Sequence, residues 1–72
     1  MSNLEKCIAA CQKSLRENEY NARFLKGVKV SHSDVETILF YAQTIQREGT
    51  YEGHLMKPRA EVAEVLGKFG LI

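Results

Sequence analysis

The sequence predicts an all-α fold, a small three-helix bundle, on the basis of three kinds of signal. Apolar residues recur at intervals of three, four or seven positions in three segments, as they do along the buried side of an amphipathic helix. Residues typical of helix starts precede these segments, and glycines follow them at positions 27, 49 and 70. A chain of 72 residues is long enough for one domain, which we predict to span residues 1–72.

The first predicted helix begins at about Asn3 and ends at Gly27. Ser2 and Glu5 have the spacing of a capping box, in which a hydroxyl and a carboxylate accept hydrogen bonds from N–H groups at a helix start. The apolar side of this helix comprises Leu4, Ile8, Cys11, Leu15, Ala22 and Leu25. Because a polar run at positions 16–21 interrupts the pattern, a kink or break there is the alternative to one continuous helix.

A connector is predicted over residues 27–30, because this segment is too short to form a stable sheet by itself. The second helix begins at Ser31 or Ser33, both of which can accept a hydrogen bond from the first turn, and it ends at Gly49. Its apolar side comprises Val35, Ile38, Leu39, Ala42 and Ile45.

The third helix is predicted to start in a turn that contains Pro58, because the fixed φ of proline suits the first turn of a helix. Its apolar side comprises Val62, Val65, Leu66 and Phe69. The helix runs to about Phe69, and Gly70 followed by Leu71 is typical of a Schellman ending with an apolar contact back onto the helix.

The overall composition is that of an ordinary globular protein with little net charge. Apolar residues make up 44% and charged residues 26% of the chain. Ten Lys and Arg oppose nine Asp and Glu, so a nucleic-acid site would require a local basic patch. No apolar run has the length of a signal peptide or a membrane span. We therefore expect a cytoplasmic protein without membrane contact.

The two cysteines, Cys7 and Cys11, are four positions apart in the predicted first helix. Side chains one helical turn apart seldom meet disulfide geometry. His32 and His54 could complete a zinc site, but they are isolated from each other and lack the paired spacing of zinc modules. We predict that the cysteines pack in a core or dimer seam. We expect no metal, no cofactor and no enzymatic activity, because no activated nucleophile or small-molecule cleft is indicated.

A basic patch formed by Arg23, Lys26 and Lys29 is the most distinctive charge feature. No acidic residue lies between positions 20 and 33, and Tyr20 and Phe24 are interleaved with the basic residues. On the predicted helix, Arg23 and Lys26 share one face. Two interpretations stay open: the charges complement the dipole at the helix C-terminus, or they bind an acidic protein or phosphates.

A loop and aromatic surface is the second candidate for partner contact. It comprises Tyr41, Tyr51, His54 and Met56. Tyrosine and methionine are common at protein interfaces. The alternative is that the apolar residues of this loop close one end of the helix bundle.

The small size of the domain favours association. Domains of fewer than about 80 residues rarely obtain more than about 3 to 5 kcal/mol from one core. We therefore expect a homodimer or higher homo-oligomer. Its seam would comprise Leu4, Ile8, Cys11 and Leu15. The predicted function is that of a small helical protein–protein interaction module, which acts as an adaptor, inhibitor or regulator of another, larger protein.

The alternative function is that of a small DNA- or RNA-binding regulator. Its phosphate contacts would come from Arg16, Arg23, Lys26, Lys29, Lys57 and Arg59. Residues 58–67 are similar to the first helix and turn of helix-turn-helix regulators, a resemblance that implies DNA binding. Such motifs place a second helix in the major groove, and we expect none from the few residues that follow position 67.

Overall fold

A computed structural model describes residues 2–17, 23–49 and 58–72. In chain order, its elements are α1 (Asn3–Glu17), β1 (Arg23–Leu25), β2 (Val28–Val30), α2 (His32–Glu48) and α3 (Ala60–Lys68). The described part of the chain is therefore mostly helical, and the predicted helical class is confirmed. It also contains a two-stranded antiparallel sheet that the helical pattern does not predict.

The helix α1 begins as predicted but is shorter. The Glu5 N–H donates to Ser2 Oγ at 3.1 Å, and the Ser2 N–H donates to Glu5 Oε1 at 3.3 Å, so the capping box forms. The helix ends at Glu17, and the prediction that it extends to Gly27 is wrong. Of the segment predicted to kink, residues 18–21 lie outside the described residues.

A β-hairpin over residues 23–30 replaces the predicted end of the first helix and its connector. The paired residues are Arg23 with Val30, Phe24 with Lys29, and Leu25 with Val28. The φ angles of Lys26 and Gly27 are 52° and 80°, and two successive positive values are typical of the type I′ turn. This turn matches the twist of the strands, and Gly27 reverses the chain there instead of ending a helix.

The helix α2 is capped at both ends by the residues that its sequence suggests. Ser31 is the N-cap: its Oγ accepts a hydrogen bond from the Asp34 N–H at 3.1 Å, and the Asp34 carboxylate accepts one from the Ser31 N–H at 3.4 Å. This result selects Ser31 over Ser33 as the cap. At the other end, Gly49 has a φ of 84°, and its N–H donates to the Ile45 carbonyl at 2.7 Å.

The helix α3 starts later than predicted and ends as predicted. Its first residue is Ala60 and its N-cap is Arg59, so Pro58 precedes the helix instead of lying in its first turn. At the C-terminus, the Gly70 N–H donates to the Gly67 carbonyl at 3.0 Å. The Leu71 N–H donates to the Leu66 carbonyl at 2.9 Å, which completes a Schellman motif.

The hydrophobic core lies between the three described helices and one side of the hairpin. The helix α1 packs along α2, α3 packs against α2 and β2, and β1 contacts α1. The buried apolar residues are Cys7, Cys11, Leu25, Val28, Val30, Val35, Ile38, Tyr41, Ala42, Val62, Val65, Leu66 and Phe69. The hairpin thus completes the core, and a bundle of helices alone is not what forms. None of the described helices is long and apolar enough to span a membrane.

Candidate interaction surfaces

The predicted basic patch lies on the hairpin, not on a helix. Arg23 is the first residue of β1, Lys26 lies in the turn and Lys29 lies in β2. The prediction that Arg23 and Lys26 share a helical face is therefore wrong. The interpretation that these charges complement the dipole of a first helix ending at Gly27 is also wrong, because α1 ends at Glu17.

The outward side of the hairpin carries an exposed aromatic ring beside a lysine. Phe24 is 62% exposed, and the register places it directly opposite Lys29, which is also exposed. Side chains at directly opposite positions of an antiparallel pair are close enough to contact each other. We name Phe24, Lys26 and Lys29 the hairpin surface. Its other side, formed by Leu25, Val28 and Val30, is buried in the core.

Lys26 also contributes to the fold. Its Nζ lies 5.0 Å from the centroid of the Phe69 ring, within the range of a cation–π contact. Phe69 is buried at the end of α3, so this contact holds the hairpin turn against that helix. Within the described residues, neither Lys26 nor Lys29 forms an ion pair with a carboxylate. The hairpin surface is therefore positively charged.

The loop and aromatic surface is only partly within the described residues. Tyr51, His54 and Met56 lie outside them. Tyr41 is only 4% exposed, which corrects the expectation that it lies on the surface. It follows Ile38 by three positions, so both residues lie on the buried side of α2. That spacing was the signal in the sequence that Tyr41 belongs to the core.

The predicted oligomer seam on α1 packs mainly within the chain. Cys11 has no exposed surface, and Cys7 beside it has none. Leu4, Ile8 and Leu15 are partly buried and pack against the same core. Cys11 therefore has no exposed surface to contact a second copy, and the other three residues keep only part of their surface exposed. Association through α1 stays a prediction.

The two cysteines are free thiols that interact with each other. A hydrogen bond to Cys7, together with burial and the charge that Cys7 would carry, raises the pKa of the Cys11 thiol. The same hydrogen bond from Cys11 lowers the pKa of Cys7, against an opposing effect of burial. No group of three metal-ligating side chains occurs among the described residues. His32 lies on the exposed side of α2, 3.2 Å from Glu36, and His54 is outside the described residues.

The basic residues of the nucleic-acid alternative do not all belong to one described surface. Arg16 lies in the last turn of α1 and is exposed. Arg59 forms an ion pair with Asp34 at 3.2 Å, and Lys57 is outside the described residues. The hairpin surface is thus the part of the predicted basic set that the structure places beside an exposed aromatic ring.

Comparison of this chain with protein-family models, with curated proteins and with solved structures gives no match. The class that the structure defines is that of a mostly helical fold with a β-hairpin.

Proposed function

We propose that this chain is a protein-interaction module that binds an acidic segment of a larger partner through its hairpin surface. By binding that partner, it acts as an adaptor, inhibitor or regulator. The observation that carries the proposal is the position of Phe24, which is 62% exposed and lies opposite Lys29 on the outward side of the hairpin.

An exposed phenylalanine gives such a surface an anchor. Transfer of a phenylalanine side chain from water into an apolar contact contributes about 1.5 to 3 kcal/mol, and aromatic anchors often dominate the energy of small interfaces. Within the fold, Phe24 obtains little of this energy because its strand neighbour Leu25 is the residue that enters the core. A partner that covers Phe24 would supply the apolar contact that releases this energy.

The charges around Phe24 favour a partner with carboxylates. Lys29 lies across the strand pair, Lys26 lies in the adjoining turn, and the segment from position 21 to 33 contains no acidic residue. Complementary charges accelerate association and exclude partners of the wrong sign. The near-neutral net charge of +1 favours a local, acidic protein segment over a long polyanion.

The hairpin surface is also preorganised. Leu25 and Val28 fix the turn from the buried side, and the Lys26 contact with Phe69 holds the turn against α3. A surface that is already ordered loses little conformational entropy when a partner binds.

The direct test is a binding measurement with fluorescently labelled peptides and one nucleic-acid probe. The peptides are rich in Asp and Glu and carry one apolar residue, and the nucleic acid is a single-stranded oligothymidine. We expect the acidic peptides to bind, and Phe24→Ala and Lys29→Glu each to weaken binding by about tenfold or more. Ile72→Ala and Lys68→Glu are matched controls at exposed positions outside the hairpin, and they should leave the affinity unchanged.

Two results would reject this proposal. One is peptide binding that does not respond to Phe24→Ala. The other is preferential binding of the oligonucleotide with an affinity that falls steeply as salt rises, because that dependence indicates phosphate contacts. An exposed aromatic ring can stack on a base, so oligonucleotide binding that Phe24→Ala weakens would identify the hairpin surface as a nucleic-acid site.

A further inference from the structure

The solvent-facing side of α2 carries a second exposed aromatic ring within an ordered stripe of polar residues. The stripe comprises Glu36, Phe40, Gln43 and Arg47. These positions are four, three and four residues apart, so they lie along one side of the helix. All four are exposed, and Phe40 is 51% exposed, whereas the opposite side of α2 is buried in the core. We name these four residues the α2 stripe.

The charges of the α2 stripe are arranged so that the stripe complements itself. Glu36 lies near the N-terminal end of α2 and Arg47 near its C-terminal end, about 16.5 Å apart along the axis at the rise of an α-helix. In an antiparallel pair of α2 helices, Glu36 of each copy would lie level with Arg47 of the other. A parallel pair would instead place like charges together, so the charges select the antiparallel arrangement.

The same arrangement covers the aromatic ring. The two-fold axis would pass midway between positions 40 and 43, so each Phe40 would lie opposite Gln43 of the second copy. The two Phe40 residues would be separated by about 4.5 Å along the helix axis. At that offset their rings can contact each other, and aromatic pairs prefer offset geometry to direct overlap.

From this self-complementarity we propose that a second copy of this chain docks on the α2 stripe, and that the two copies form an antiparallel, two-fold homodimer. In such an isologous contact, a residue pair between the two copies occurs twice, once in each direction. The α2 stripe satisfies this condition, because Glu36 would pair with Arg47 and Phe40 with Gln43 in both directions. The contact is small compared with stable interfaces, so the dimer is weak and depends on concentration.

The ion pairs already present on α2 do not prevent this contact. Glu36 lies 3.2 Å from His32, and Arg47 lies 3.5 Å from its neighbour Glu48. The side chains of Glu36 and Arg47 remain 61% and 69% exposed. Exposed ion pairs contribute less than about 1 kcal/mol, so exchanging them for pairs with the second copy costs little.

The dimer does not depend on the proposed function of the hairpin. The α2 stripe contains no residue of the hairpin surface, and the two are tested with different variants and different measurements. If both hold, the dimer presents two hairpin surfaces at once, and a partner with two acidic segments would bind with increased avidity.

The experiment is analytical ultracentrifugation of the full chain over a wide range of concentration. We expect the mass to rise from monomer towards dimer, and Phe40→Ala to raise the dissociation constant by about tenfold or more. Glu36→Arg and Arg47→Glu should each weaken the dimer, because each places like charges in contact twice. The double variant Glu36→Arg with Arg47→Glu should restore it, because the exchanged charges are again complementary.

Matched controls separate this contact from a general effect of charge. Glu64→Arg and Lys68→Glu make the same changes of charge at exposed positions of α3, and they should leave the dissociation constant of the dimer unchanged. Circular dichroism of each variant establishes that it is folded. A wild-type chain that stays monomeric at every concentration would overturn the proposal. So would a folded double variant that associates as weakly as either single variant.

Discussion

Asp34 connects the starts of two helices through Arg59. Its carboxylate accepts a hydrogen bond from the Ser31 N–H at the N-cap of α2, and its Oδ1 lies 3.2 Å from Nη1 of Arg59, the N-cap residue of α3. The Asp34 side chain is 7% exposed, whereas that of Arg59 is 70% exposed. One buried carboxylate thus caps one helix and forms an ion pair with the residue that starts another.

This unequal burial predicts unequal effects of substitution. Asp34→Ala removes the carboxylate that accepts from the Ser31 N–H and pairs with Arg59, and it should lower the free energy of unfolding by about 1 to 2 kcal/mol. Arg59→Ala removes only the exposed partner of the ion pair and should lower the free energy of unfolding by less than about 1 kcal/mol. Urea denaturation followed by circular dichroism measures both. Equal losses would show that the ion pair, and not the cap, is the main contribution of Asp34.

Two glycines should respond oppositely to the same substitution. Gly27 has a φ of 80° in the hairpin turn, where an L side chain is strained although nothing lies within 4 Å of an added Cβ. Gly27→Ala should therefore destabilise the protein by about 1 kcal/mol. Gly67 lies inside α3, where an added Cβ also has nothing within 4 Å. Gly67→Ala should therefore stabilise the protein by about 0.5 to 1 kcal/mol. Thermal denaturation of the two variants provides the comparison.

Adjacent residues of β1 test the register of the hairpin. Leu25 is buried in the core and Phe24 is exposed on the outward side. Leu25→Ala should lower the free energy of unfolding by about 2 to 5 kcal/mol, while Phe24→Ala should change it by less than about 0.5 kcal/mol. A shift of the strand by one residue would exchange the two positions and reverse this order. Chemical denaturation of the two variants distinguishes the registers.

The thiols should be protected in the folded protein. Cys7 and Cys11 have no exposed surface, and the pKa of Cys11 is raised by its hydrogen bond to Cys7, by burial and by the charge that Cys7 would carry. We expect a thiol reagent to label neither residue in buffer, and to label both in urea at the rate of unfolding. Mass spectrometry counts the labels. Rapid labelling of Cys7 alone would indicate an accessible thiolate, which its lowered pKa would favour.

The helix ends show how much local sequence could predict. The capping boxes of α1 and α2, the stop at Gly49 and the Schellman motif at Gly70 all depend on hydrogen bonds between residues a few positions apart. Because both partners of each bond are close in the chain, their spacing is visible in the sequence. The predicted start of α3 is too early, because proline suits the positions just before a helix as well as its first turn.

The hairpin shows where local patterns fail. The spacing of Ala22 and Leu25 from Leu15 is compatible with a helix, and Lys26-Gly27 is not among the dipeptides that most strongly indicate a type I′ turn. Strands of three residues are unstable alone, so this hairpin depends on the burial of Val28 and Val30 against the helices.

The sequence by itself determined the helical class, the start of α1, the ends of α2 and α3 and the small net charge, because these follow from composition and from contacts between near neighbours. Only the tertiary structure decided that the basic patch lies on a hairpin, that Cys11 packs in the core of its own chain, and that Phe24 and Phe40 are exposed. The physical reason is that exposure depends on which elements pack together. That packing is set by the burial of apolar side chains far apart in the chain.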